Sequence, residues 1–200
     1  MWQSDIPWTG TVNDDTQRIA RGLGEKDVAL LHALVEQYQY RLIRYLIFLL
    51  GSRNPVDDLV QETWLRVLER GRTYDGQSRF EPWLFAIARN LAIDHTRKRR
   101  SVSLDSTDCG PHAPELLSPV STDPSPFEQA ARTEDARHLA QTLQTLEPIY
   151  REALILLFQE DLSLQEIATI VGAPVSTVST RIYRGLAVLR GQMGAEHHAS

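Results

Sequence analysis

Ser163-Leu-Gln-Glu166-Ile-Ala-Thr-Ile-Val-Gly172-Ala-Pro-Val-Ser176-Thr-Val-Ser-Thr180-Arg-Ile-Tyr-Arg184 is the stretch on which the reading of this chain turns. Its opening, Ser163 to Glu166, is a capping box: the serine hydroxyl can accept from a first-turn N–H while Glu166 reaches back. Leu164, Ile167, Ala168 and Val171 then share one face at helical spacing. Gly172-Ala173-Pro174 supplies a tight turn, since Gly172 can take the left-handed conformation that closes a helix. Ser176 reads as the N-cap of the next helix, with Val178, Ile182, Leu186 and Leu189 inward. Its other face carries Ser176, Thr177, Thr180, Arg181 and Arg184. The pattern is a helix-turn-helix whose second helix presents the hydroxyls and arginines that reach phosphates and base edges. A plain helical hairpin with solvated arginines explains the charge, but not the capping box, glycine turn and hydroxyl cluster together.

Upstream the same helical periodicity continues. From about Glu25 to Leu50, the residues Val28, Leu31, Leu34, Val35, Tyr38, Leu42, Tyr45, Leu46 and Leu49 form one broad apolar stripe that stops at Gly51. Val56 to Arg70 turns Leu59, Val60, Trp64, Val67 and Leu68 inward and ends at Gly71. A polar loop, Arg72 to Arg79, leads to a third helix near Glu81, with Pro82 in the favoured first turn. That helix carries Trp83, Leu84, Ile87, Ala88 and Leu91 and ends in Arg97-Lys98-Arg99-Arg100. The spacing of Trp83 with Ile87 and Leu91 favours core packing over stacking on a ligand. No segment alternates with period two, so the expected fold class is all-α.

Two small helical domains are expected, a three-to-four-helix bundle over residues 25–100 and the helix-turn-helix domain over 132–192. Between them, residues 101–131 hold five of the ten prolines in a Ser-, Thr- and Asp-rich background, the composition of a flexible linker. Residues 1–24 are weakly patterned and read as an N-terminal extension bearing Trp2 and Trp8, and 193–200 as a tail.

The net charge of −5 looks wrong for a nucleic-acid binder, but its distribution matters more than its sum. Arg72 to Arg100 is basic, with seven basic and three acidic residues. Ser101 to Asp135 reverses this, with seven acids and one arginine, and Ser176 to Gln192 has three arginines and no acid. The sign of the whole chain is therefore set by the linker. No apolar run approaches transmembrane length, the longest being Leu46 to Leu50, and no charged-then-apolar leader opens the chain. The single cysteine, Cys109, excludes an internal disulfide and a Cys-rich metal site within one chain. A cytoplasmic protein without membrane insertion is expected. Cys109 and His112 lie in the linker, too loosely held for catalysis, and no phosphate-binding glycine loop occurs. Neither an enzyme nor a cofactor or small-molecule site is expected.

With these residues on view, a family resemblance follows. Leu162 to Leu186 resembles domain 4 of bacterial sigma factors, and Leu146-Glu-Pro-Ile-Tyr-Arg-Glu-Ala-Leu154 resembles its leading helices. Asp57-Asp-Leu-Val-Gln-Glu-Thr-Trp-Leu-Arg-Val-Leu68 resembles the polymerase-binding helix of sigma domain 2. Phe80 to Arg100 resembles its promoter-melting helix. The simple two-domain layout is similar to the extracytoplasmic-function group. A helix-turn-helix alone is weakly specific, whereas both blocks in order are strongly so.

The resemblance implies binding to core RNA polymerase and to promoter DNA. Asp57, Asp58, Gln61 and Glu62 would meet the β′ clamp helices. Tyr74, Gln77, Ser78, Arg79, Asn90, Arg97 and Lys98 would read the −10 element, with the 74–79 loop holding a flipped base. Domain 4 would dock on the β flap and read the −35 element through Ser176, Thr177, Thr180, Arg181 and Arg184. An anti-sigma partner is implied, and Cys109 is either a redox trigger or incidental. Two departures stand out: Ser179 where many relatives carry lysine, and Gly185 inside the recognition helix, where glycine costs about 1 kcal/mol relative to alanine. The alternative is a helix-turn-helix regulator that acts without polymerase.

Overall fold

The computed structural model describes residues 12–104 and 141–196, with side chains over 14–98 and 141–192. Trp2, Trp8, Cys109, His112 and residues 105–140 lie outside the described residues. Most of the helices follow from local signals that the chain carries, and the first is the exception. α1 spans Val12–Glu25, most of it in the weakly patterned stretch read as an N-terminal extension. Its buried residues are Thr16, Ile19, Gly22 and Leu23, a stripe with too few large apolar side chains to register as a helix by periodicity.

The chain then breaks rather than continuing from Glu25. Lys26 takes a left-handed conformation with φ +58°. The Asp27 carboxylate accepts from Ala29 N at 2.9 Å and Leu30 N at 3.2 Å, capping α2, Val28–Leu50. α3 spans Val56–Arg70 as expected, but at Gly71 it tightens into a 3-10 turn, Gly71–Thr73, instead of stopping. α4 spans Phe80–Leu104 and passes through the basic run where its end was expected. No glycine or proline follows until Gly110, so nothing in the backbone chemistry ends the helix at Arg100.

Residues 141–145 are helical, and α5 follows over Pro148–Phe158 with proline in its first turn. α6, Leu164–Val171, carries the full capping box: the Ser163 hydroxyl accepts from Glu166 N at 3.3 Å, and Ser163 N donates to Glu166 Oε2 at 2.8 Å. Gly172 closes it at φ +63°. α7 spans Val175–Glu196. The expected cap at Ser176 is corrected: Val178 N donates to Pro174 O at 3.1 Å, so the ladder starts at Pro174 and Ser176 sits inside the first turn. Gly185 is needed for close approach, because a Cβ there would lie 2.9 Å from Leu154 Cδ1 and 3.3 Å from Tyr150 Cβ on α5.

Among the described residues the architecture is all-α. α2, α3 and α4 pack on one another, α7 packs on α5 and α6, α5 lies against α2, and α6 against α4. One apolar core runs through both groups, from Leu34, Leu42 and Leu46 to Ile155, Leu156 and Ile167. Tyr74, Phe80 and Trp83 form an aromatic cluster with ring centroids 5.4–5.7 Å apart, so Trp83 packs as its spacing predicts.

The seam between the two groups is charged. Arg41 Nε donates to Glu160 Oε2 at 2.7 Å, and Arg44 Nη2 to Glu160 Oε1 at 3.0 Å. Tyr45 Oη and Arg89 Nε both donate to Glu152 Oε1, at 2.9 and 2.7 Å. Arg151 is buried and donates to the carbonyls of Phe48, Gln144 and Leu146 and to Gln144 Oε1. Phe48 lies in the last turn of α2, where the helix dipole favours a cation. Desolvation pulls the Arg151 pKa below its usual value.

Burial, reinforced by carboxylates, holds Tyr38, Tyr45 and Tyr74 well above the usual phenol range. In the unfolded chain these phenols ionise near pH 10. Above that pH the folded state retains protons that the unfolded state loses, so stability falls as pH rises. Unfolding midpoints followed by circular dichroism should therefore hold from neutral pH to about 9.5 and drop steeply beyond about 10. A midpoint flat to pH 11 would contradict the buried placement of these rings.

Candidate nucleic-acid interface

Three exposed surfaces emerge from this packing. The first is on α3. Its buried residues Leu59, Val60, Thr63, Trp64 and Val67 fix the helix rotation. That rotation leaves Asp57, Asp58 and Gln61 exposed and Glu62 half-buried. Leu65, 54% exposed, continues the same face beyond the acids. Glu62 Oε1 accepts from Arg66 Nε at 2.9 Å along the helix. Asp58, Leu59 and Glu62 also wall a concavity of about 460 Å³ with Asn54, Pro55 and His95. His95 thus joins the acidic face of α3 to the second half of α4.

The second surface is the 74–79 loop and the outer side of α4. Tyr74 is buried, only 4% exposed, and its hydroxyl donates to Ser78 O at 2.6 Å. Its ring is a scaffold for the loop and does not face outward, unlike the base-reading side chain expected there. Gln77 and Ser78 are exposed. Arg79 is drawn toward α6: Nη1 donates to Asp161 O at 3.3 Å and lies 3.6 Å from Glu166 Oε1, while Nη2 donates to Glu81 Oε1 at 3.3 Å. Burial opposes the Arg79 charge, but Glu81 and Glu166 outweigh it and hold the pKa above its usual value. Asn90, Arg97 and Lys98 are exposed on α4, with Arg97 Nη2 3.3 Å from Asp94 Oδ1. Arg89, one residue before Asn90, turns to the seam instead.

The third surface is α7. Val178 and Ile182 are buried, so Ser176, Thr180 and Arg184 stand outward, with Thr177 and Arg181 half-buried at its flank. The Thr180 hydroxyl donates to Ser176 O at 2.9 Å. Tyr183, 72% exposed, lies at the edge of this face beside Ser176. It was missed in reading the sequence, although the spacing 176, 180, 183 places all three on one line of a helix. Among the described residues no group of three His, Cys, Asp or Glu side chains could hold a metal ion. No described helix is long and apolar enough to cross a membrane.

Comparison with known proteins bears on all three surfaces. The family model for Sigma-70 region 2 matches residues 34–102, and that for Sigma-70 region 4 matches 137–189. The chain is 31% identical over 162 residues to the ECF RNA polymerase sigma factor SigW of Bacillus subtilis, covering 80% of this chain and 87% of that protein. It is also 31% identical over 166 residues to SigX of the same organism, covering 80% of this chain and 81% of the relative. Its fold is similar to that of CnrH bound to the cytosolic domain of CnrY, with TM-score 0.64, 24% identity, and 90% and 99% of the two chains covered. It is also similar to RpoE of Bartonella quintana bound to the anti-sigma factor NepR, with TM-score 0.67, 23% identity, and 82% and 96% covered. Matches in both halves disfavour a helix-turn-helix regulator that acts without polymerase.

Proposed function

Because the chain belongs to the extracytoplasmic-function family of bacterial RNA polymerase sigma factors, we propose that its three surfaces divide promoter recognition among them. α3 meets core polymerase at the β′ clamp helices, the 75–79 loop with the outer side of α4 reads the −10 element, and α7 reads the −35 element. The carrying observation is the contrast between two exposed faces of one chain. Asp57, Asp58 and Glu62 stand on α3 beside exposed Leu65, while Ser176, Thr180, Tyr183 and Arg184 stand on α7. A carboxylate face repels DNA and suits a basic protein surface with an apolar centre. A hydroxyl and arginine face at the start of a helix suits the major groove, with the helix N-terminus favouring phosphate.

On the −10 side, Gln77 and Ser78 supply hydrogen bonds to an unstacked base, and Asn90, Arg97 and Lys98 hold the separated strand. Arg79 reaches DNA only when it lets go of Glu166 and the Asp161 carbonyl. The 137–189 segment docks on the β flap, which sets the two readers at one spacing and raises their effective concentration on a promoter. Control by an anti-sigma factor that covers these surfaces completes the reading, in line with the partner that the Bartonella neighbour carries.

Run-off transcription with core polymerase on a promoter library tests this. The chain should select one pair of −10 and −35 elements. Arg184→Ala should lower output from the preferred −35 sequence by about tenfold and relax base preference at one position. An unchanged rate with Arg184→Ala on every promoter would sink the assignment of α7.

A further inference from the structure

α1 lies ahead of the residues matched to Sigma-70 region 2, so that match gives it no role. Its apolar residues Ile19 and Leu23 account for its packing on the bundle. They do not account for its polar edge. Thr16, 6% exposed, donates from Oγ1 to Gly76 O at 2.7 Å. Gln17 Nε2 donates to Gly76 O at 3.1 Å and to Asp75 O at 3.4 Å. All three hydrogen bonds end on two consecutive carbonyls of the 74–79 loop, some 58–60 residues along the chain.

The loop is shaped to receive them. Gly76 has φ +68°, and a Cβ there would lie 2.9 Å from Thr16 O, 3.0 Å from Gln17 Nε2 and 3.1 Å from Ala20 Cβ. Only glycine permits both the conformation and the approach. On its inner side the loop is tied by Tyr74 Oη donating to Ser78 O, and across its tip by Gln77 N donating to Asp75 Oδ1 at 3.0 Å. The backbone from 74 to 78 is thereby held from both sides, while the side chains of Asp75, Gln77 and Ser78 stay exposed.

We propose that α1 is a positioning element for base capture, with Thr16 and Gln17 holding the Asp75–Gly76 backbone so that Gln77 and Ser78 meet an unstacked base in one geometry. This rests on the −10 reading given above. Extruding a base is costly, and a loop that must also be ordered on binding adds its own entropy to that cost. A loop already splinted by α1 avoids the second term.

The test uses the full chain assembled with core polymerase, on promoters bearing each base in turn across the −10 element and 2-aminopurine as the reporter of unstacking. Thr16→Val combined with Gln17→Ala should slow unstacking by about tenfold and flatten the base preference, with core affinity unchanged. Thr16→Ser in the Gln17 background keeps the hydroxyl and should restore both. Gln77→Ala combined with Ser78→Ala, which alters the reading residues themselves, should abolish the same base preference. If that second pair changes the preference while the first pair leaves rate and preference at wild-type values, the positioning role is overturned and the −10 reading stands. If the second pair changes nothing, the −10 reading fails, and the positioning role with it. A parallel fall in core affinity and unstacking in the first pair overturns the positioning role in favour of general loss of fold.

Discussion

Alanine at Glu160 is expected to lower the unfolding free energy by about 3 kcal/mol. For a chain of this size that is a fall of roughly 6–12 °C in the unfolding midpoint. Glu160 is 1% exposed, just past the end of α5, and its carboxylate is the shared acceptor of Arg41 and Arg44. Those arginines lie one turn apart on α2 and are themselves largely withdrawn from water, with side chains 26% and 18% exposed. Removing the acid leaves two like charges side by side with their common partner gone. The loss exceeds that of a surface pair because the acceptor lost is itself buried and both arginines are largely shielded from water.

Companion substitutions discriminate the cause. Glu160→Gln keeps volume and one acceptor and should cost less than alanine. Arg41→Met should cost less again, since removing one arginine leaves Glu160 paired with Arg44. Replacing Glu160, Arg41 and Arg44 together by apolar residues should return stability close to the starting value, because the gain from a buried ion cluster is mostly offset by its desolvation. A midpoint for Glu160→Ala equal to that of the parent chain would show that the end of α5 does not rest on α2 in solution.

That cluster also marks where sequence reading ran out. The bounds of α3, Val56–Arg70, and the capping box of α6 were legible because their signals are local: Ser163 meets Glu166, and a glycine follows each helix. The charges at the seam carry no such signal. Arg41 and Arg44 find Glu160 across 119 and 116 positions, and Arg89 finds Glu152 across 63. In sequence these residues look like the solvated faces of amphipathic helices. α1 escaped notice for a different reason. Its stripe contains Thr16 and Ala20 among few large apolar residues, and its polar edge is tied by hydrogen bonds to a distant loop.

The candidate sites divide in the same way. Residue type and helical spacing located the exposed acids on α3 and the hydroxyls on α7, because a helix with a known core face has a known outer face. Loop residues have no period. Tyr74 turns inward against Phe80 and Trp83, and Arg79 turns to α6, for reasons of tertiary packing that the residue types do not announce. Tyr183 was visible in principle, being in phase with Ser176 and Thr180 and out of phase with Val178 and Ile182, but hydroxyls and arginines alone were sought on that face.

Charge reversal at Asp58 and Glu62 should weaken core polymerase binding by more than about 100-fold, since like charges set against a complementary surface cost several kcal/mol. The fold should tolerate the change. Asp58 is exposed, and Glu62 pairs with the half-exposed Arg66, a contact contributing about 0–1 kcal/mol. Loss of negative charge near the start of α3 removes a favourable dipole interaction of similar small size. Neutral Asp58→Asn with Glu62→Gln keeps shape and hydrogen bonding and should sit between the extremes, near tenfold, roughly the weight of rim-type charge pairs. The contribution of Leu65 is separable, because truncating it to alanine removes apolar contact without touching charge, and its effect should persist in high salt while that of the carboxylates fades. Titration of core polymerase with fluorescently labelled chain at two ionic strengths reads all of these together. Wild-type affinity in the reversed variant, with an unchanged unfolding midpoint, would move the polymerase contact off α3 altogether. An affinity lost in low and high salt alike would instead place the apolar centre, and not the acids, at the heart of the contact.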